Sequence, residues 1–135
     1  MTTEIAESKA ESWARALYAG AVDKKDAAGF AAVFEKNATL CFGNNEPLVG
    51  RSQIESAIAQ FFQAMVSLRH EFIAISRDEN TLFLEADVTY TRHDGKVVTV
   101  PAMTVFVLAK ISGDVVAKAC RLYVDLAPLF APSET

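Results

Sequence analysis

Val115-Val-Ala-Lys-Ala-Cys-Arg-Leu-Tyr-Val-Asp-Leu126 is an apolar run with polar side chains at Arg121, Tyr123 and Asp125, every second position near its end. Alternate residues of a strand share a face, so these three are expected to project together from a greasy ribbon. Such a triplet fits the floor of a ligand pocket, and it fits a structural ion-pair ladder. The same period of two extends upstream. Strands are predicted over residues 68–77, 82–92, 97–111 and 115–126, broken by Asp78-Glu79-Asn80, Asp94-Gly95 and Ser112-Gly113-Asp114. Asp-Gly between alternating apolar runs is a strong hairpin signal. Four strands joined by tight turns form an antiparallel meander.

Before residue 68 the period is helical. A helix is predicted over 3–19, with Ile5, Trp13, Ala16 and Leu17 on one face, Glu4 and Glu7 in the positive first turn, and Gly20 as the stop. A shorter helix is predicted from Asp26, its N-cap, with Phe30, Val33 and Phe34 facing the core. Residues 38–43 read as a short strand ending at Gly43-Asn44-Asn45-Glu46-Pro47. A third helix is predicted to open on the capping box Ser52-x-x-Glu55 and to bury Ile54, Ile58, Phe61, Phe62 and Met65. Helices first and strands after predict an α+β domain, with three N-terminal helices packed on an antiparallel sheet. One domain spans 1–135.

Composition narrows the function classes. The 135 residues are 51% hydrophobic and 22% charged, enough apolar surface for a core without staples. A net charge of −4 with no basic run argues against a nucleic-acid partner. No apolar stretch approaches the roughly 20 residues that a membrane span needs, and Met1-Thr-Thr-Glu-Ile5 lacks the features of a signal peptide. Cys41 and Cys120 sit in apolar runs without CxxC spacing, as reduced thiols of a cytoplasmic protein do. The sequence has no GxSxG, no phosphate-cradling glycine loop and no His/Cys ligand pattern, so neither metal nor cofactor is expected.

The strand predicted over 97–111 is apolar on both faces: Val98, Val100, Ala102, Phe106 and Leu108 on one, Val97, Met103, Val105 and Val107 on the other. Helices cover one face only, so a second copy of the chain is expected on the outer face, as a homodimer. Pro101 in mid-strand predicts a bulge or bend. If Asp94-Gly95 and Ser112-Gly113 are two-residue turns, Glu85 faces Thr104, Asp87 faces Ala102, and Arg121 and Tyr123 lie beside Thr104 and Ala102. A turn at Glu79-Asn80 sets His70 beside Thr89. His70, Glu85, Asp87, Thr104, Arg121, Tyr123 and Asp125 then share one face. Carboxylates near a histidine and an arginine, walled by aromatics, suit acid–base chemistry on an apolar molecule. The competing reading for Glu85 and Arg121 is a cross-strand ion pair; His93, Arg92 and Lys96 read as exposed charge beside a turn.

Phe34-x-x-x-Ala38-Thr39, Gly50-Arg51-x-x-Ile54, Asp94-Gly95…Pro101 and Arg121-x-Tyr123-x-Asp125-Leu126, in that order and spacing, resemble the SnoaL-like branch of the nuclear transport factor 2 superfamily. The resemblance covers nearly the whole chain. It implies a cone of strongly curved sheet closed by helices around an apolar cavity, usually as a homodimer. Members include polyketide cyclases, ketosteroid isomerases, epoxide hydrolases, dehydratases and non-enzymatic binders. The positions that match the isomerase tyrosine, general base and second oxyanion-hole acid hold Trp13, Phe42 and Met103, so that mechanism is not implied. The epoxide hydrolase pattern looks like Glu85-x-Asp87 with Asp125, and the cyclase acid is comparable to Asp125.

The expectation is therefore a protein that binds a small apolar polyketide-, steroid- or terpene-like molecule. Asp125, Asp87 and His70 are its candidate catalysts, and Tyr123, Arg121, Trp13, Phe42, Phe62, Met103 and Asn44 its candidate substrate contacts. The alternative is a ligand-binding or dimerisation module without chemistry.

Overall fold

The computed structural model describes residues 5–132. The chain runs through α1 (Glu7–Leu17), a π-helical turn (Tyr18–Val22), α2 (Ala27–Ala31), β1 (Phe34–Phe42), β2 (Leu48–Val49), α3 (Arg51–Phe62), β3 (Ser67–Asp78), β4 (Thr81–Thr91), β5 (Val97–Ile111), β6 (Asp114–Val124) and α4 (Ala127–Phe130). The strands form one curved open sheet in the order β2-β1-β6-β5-β4-β3. The expected meander is its antiparallel body, and β1 joins it parallel to β6. Among the described residues no helix is long and apolar enough to cross a membrane.

The N-terminal helices cover one face of the sheet. Leu82, Leu84, Val88, Val100, Phe106, Leu108 and Cys120 meet Ala14, Leu17, Phe30, Ile54 and Ile58 there in a single buried cluster. Phe34 and Phe106 are wholly buried, with ring centroids 6.2 Å apart; each such ring contributes about 1.5–3 kcal/mol by leaving water. On the opposite, outer face Val97 and Tyr123 stay more than half exposed, so β5 is apolar on both sides as its sequence indicates.

Several local expectations need correction. The proposed start of the first helix at residue 3, the role of Glu4 and most of the Met1–Ile5 leader reading lie outside the described residues. Gly20 does not stop the helix: the Asp23 N–H donates to the Tyr18 carbonyl at 2.9 Å, five residues back, and the coil widens instead. Asp26 does cap α2, its carboxylate accepting from the Gly29 N–H at 3.0 Å. Val33 and Phe34 leave that helix, and Phe34 opens β1, which is longer than predicted. The Ser52-x-x-Glu55 box does not form. Gly50, at φ 91°, is the N-cap of α3 and leaves Ser52 inside the helix.

The most consequential correction is register. Asp94-Gly95 is part of a three-residue loop, His93-Asp94-Gly95, closed by the Arg92 N–H to the Lys96 carbonyl at 2.8 Å, with Gly95 at φ 87°. That is the three-residue hairpin with glycine in the left-handed region. Compared with a two-residue turn it slips the pairing by one: Glu85 faces Met103 and Asp87 faces Pro101. Pro101 sits in unbroken register. The irregularities fall elsewhere: at Ile73 in β3, between Val107 and Leu108 on the β5–β6 ladder, and between Phe34 and Thr39 where β1 meets β6. The Ser112-Gly113 turn is as predicted, but the second irregularity slips β6, so Thr104 faces Leu122 and Val105 faces Arg121. A slip of one residue turns each side chain to the other face.

Candidate functional site

The registers divide the predicted polar face in two. Leu84, paired with Thr104, is buried beneath the helices, so Thr104 points inward with Leu122, Phe106 and Cys120. Their strand neighbours Glu85, Met103, Arg121 and Tyr123 therefore point outward, as does Asp87 opposite Pro101. Glu85 and Arg121 are not paired across one ladder: β5 lies between them, and they oppose its Met103 and Val105. Asp125 lies just past β6, exposed, and accepts the Ala127 N–H at 3.0 Å. That bond tethers it to the first residue of α4, whose N-cap is Leu126. Trp13, partly buried, packs edge-on against Phe106 at the margin of the core, centroids 5.2 Å apart. Asn44 is exposed in the turn after β1.

Of the predicted catalysts, His70 alone faces inward. It lines a cavity of about 40 Å³ with Tyr18, Val22, Phe30, Ile58, Phe62, Thr104, Cys120 and Leu122. Nδ1 of His70 lies 2.6 Å from Oδ1 of Asp23, and the other carboxylate oxygen accepts the His70 backbone N–H at 3.1 Å. One carboxylate thus holds both the ring and its backbone. A carboxylate accepts, so Nδ1 carries the proton in this contact, and it is Nε2 that offers a lone pair when the ring is neutral. The side chains of His70 and Asp23 keep only 11% and 22% of their exposure.

The local backbone explains why Asp23 is there. The π-helical turn adds a residue to the coil before the chain leaves it, and such turns recur at functional sites. It places Tyr18 inward and ends on Asp23. The following bend, with Lys25 at φ 58°, is fixed by the Asp26 N–H to the Ala21 carbonyl at 2.9 Å. Lys25 Nζ donates to the carbonyls of Met65 at 2.8 Å and Val66 at 3.2 Å, tying the bend to the chain just before β3, which carries His70.

Tyr18 completes the group. Its ring meets His70 edge-on at 4.6 Å and Phe72 at 5.2 Å, and it shares the cavity lining with Thr104. Burial pushes the phenol well above its usual range, so it stays protonated at neutral pH and remains a hydrogen-bond donor. Burial likewise raises the Cys120 thiol, which keeps it protonated and a poor nucleophile. The chemistry these groups support is proton exchange at the His70 ring, in a lining that also has the hydroxyls of Tyr18 and Thr104 to hold an oxygen. Among the described residues no cluster of His, Cys, Asp and Glu has the makings of a metal site.

Outside the cavity lies a larger open cleft of about 400 Å³, walled by Phe42, Leu48, Ala57, Ile58, Phe61, Leu126 and Phe130, with Asn45 and Glu46 among its lining. Phe42 and Phe61 pack at 5.3 Å within it. Of the expected substrate contacts, Phe62 lines the cavity and Phe42 the cleft, while Tyr123, Arg121, Met103, Trp13 and Asn44 line neither. Sequence reasoning missed Tyr18, Asp23 and Asn45. The available signal was a tyrosine and an aspartate five positions apart, flanking an apolar helix end, which a straight α-helix would point in different directions.

The SnoaL-like domain family matches residues 14–117. Among solved structures, a candidate SnoaL-like polyketide cyclase from Jannaschia sp. CCS1 superposes with a TM-score of 0.73 at 17% identity, over 98% of this chain and 97% of that one. An NTF2-like protein of unknown function from Burkholderia pseudomallei K96243 gives 0.76 at 13% identity, over 91% and 98%. A ketosteroid isomerase-like protein from Erwinia carotovora atroseptica SCRI1043 gives 0.66 at 16% identity, over 90% and 94%. At these identities the likeness is one of fold. No protein with a curated description matches the sequence significantly.

Proposed function

The chain belongs to the SnoaL-like domain family, and on that premise we propose that it binds a small, mostly apolar molecule of polyketide-, steroid- or terpene-like character and moves a proton on it. The observation that carries the reading is the 2.6 Å contact between Asp23 and His70, which lines a cavity that also holds Tyr18 and Thr104. His70 Nε2 takes and returns the proton. Asp23 orients the ring and stabilises the imidazolium that forms. Tyr18 and Thr104 hold the oxygen on which charge develops. Asp125 and Asp87 have no part in this step, because both lie away from the cavity.

A second reading, ligand binding without chemistry, draws support from the size of the cavity, about 40 Å³, against roughly 300 Å³ or more for a pocket that encloses a whole small molecule. One assay separates the two: α-proton exchange of 2-tetralone, an apolar ring ketone, followed by NMR in deuterated buffer. The wild type is expected to accelerate exchange, and His70→Gln to lose about 10²-fold or more of that acceleration while staying folded. No acceleration by the wild type, or an unchanged rate in His70→Gln, overturns the proton-transfer reading.

The proposal also includes a homodimer through the outer sheet face, supported by exposed Val97 and Tyr123 beside half-buried Phe83, Met103 and Val107. It includes a cytoplasmic location, supported by two cysteines that are not joined to each other.

A further inference from the structure

The cavity and the cleft have one lining residue in common, Ile58 of α3. Phe61, on the cleft side, and Phe62, on the cavity side, pack at 6.2 Å, and Phe42 of the cleft lies beside Leu122 of the cavity in the β1–β6 ladder. We propose that Ile58 is the septum that sets how far a ligand reaches toward His70, and so decides which ligands the site accepts. This rests on the proton-transfer reading only for the purpose of the reach; the selection itself is a matter of fit.

The two spaces differ in what they can take. The cleft, at about 400 Å³, falls in the range of small-molecule pockets and offers Phe42, Phe61 and Phe130 to a flat ring body. The cavity, at about 40 Å³, is about a tenth of that and suits a slim polar group better than a ring body. The ligand class is therefore a ring system of one or two rings with a slim oxygen at its leading edge: the rings in the cleft, the oxygen past Ile58 among Tyr18, Thr104 and His70. Ile58 is itself buried, and a close-packed side chain yields little to an extra methyl group.

Two probes that differ by that methyl group test this at equilibrium: 2-naphthol and its methyl ether, 2-methoxynaphthalene, titrated by NMR against the full chain. The wild type is expected to prefer 2-naphthol at least tenfold. Ile58→Ala is expected to reduce that preference to within about threefold by admitting the ether, and Ile58→Val to fall between. Phe61→Ala should weaken both probes alike and keep the preference. If Ile58→Ala fails to fold, Ile58→Val carries the test. A preference that survives in the Ile58 variants reflects the lost hydroxyl donor and overturns the septum, as does failure of the wild type to bind either probe up to its solubility limit. The titration needs no turnover. A failed exchange assay with intact selectivity removes the chemistry and leaves the septum; the reverse outcome removes the septum alone.

Discussion

Tyr18, Tyr90 and Cys120 are ionisable groups held neutral by burial, and each ties stability to pH. Burial pushes Tyr90 up to about 12 and moves Tyr18 and Cys120 further above their usual values. A folded value above the unfolded one means that the unfolded chain gives up its proton first. The contribution is complete below the ordinary thiol and phenol values, about 8.5 and 10, and is lost as pH rises through the folded ones. The urea midpoint is therefore expected to hold up to about pH 8 and to fall steadily between about pH 9 and 12. Tyr90→Phe should fall less over the same interval, since one of the three groups is gone. Equal falls in the two proteins would contradict the assignment to Tyr90.

At the scale of elements, the π-helical turn is what brings a helix-borne tyrosine and the following aspartate to one histidine. Gly20 sits within it, exposed, and a Cβ added there meets nothing within 4 Å. Gly20→Ala is expected to stabilise the protein by about 0.5–1 kcal/mol, by lowering the entropy of the unfolded chain, seen as a higher urea midpoint. A lower midpoint would mean that the widened coil needs glycine. The same elements mark what the sequence makes legible. Apolar periodicity and turn residues placed the four strands of the meander and the helices before them, because burial imposes a period on sequence, whereas the start of β1 reads as helix. The inward or outward sense of polar residues depends instead on single-residue differences in a turn or ladder. A three-residue loop at His93-Asp94-Gly95 and a bulge at Ile73 look almost the same in sequence as their regular counterparts. The loop changes which face Glu85 and Asp87 occupy, and the bulge which face His70 occupies. His70 was legible as a candidate since it lies in the meander, whereas Asp23 was hidden by a coil whose hydrogen bonds run five residues back.

For the molecule as a whole, the outer face carries Arg121, Tyr123, Glu85 and Asp87 between apolar neighbours, a mixture of charge and grease that suits a partner of like composition. In the proposed dimer, light scattering at micromolar concentration should report twice the chain mass, and Tyr123→Asp, at a position 52% exposed, should shift the species toward monomer without lowering the urea midpoint of the fold. A monomeric wild type would remove the dimer and leave the cavity untouched, because the two lie on opposite faces of the sheet. That separation permits the most direct test of the central claim, that chemistry sits under the helices and not on the outer face. The measurement is 2-tetralone exchange by Asp23→Asn and Asp125→Asn side by side with the wild type. The account predicts that Asp23→Asn loses most of the acceleration and Asp125→Asn keeps it. Loss in Asp125→Asn with full activity in Asp23→Asn would contradict it.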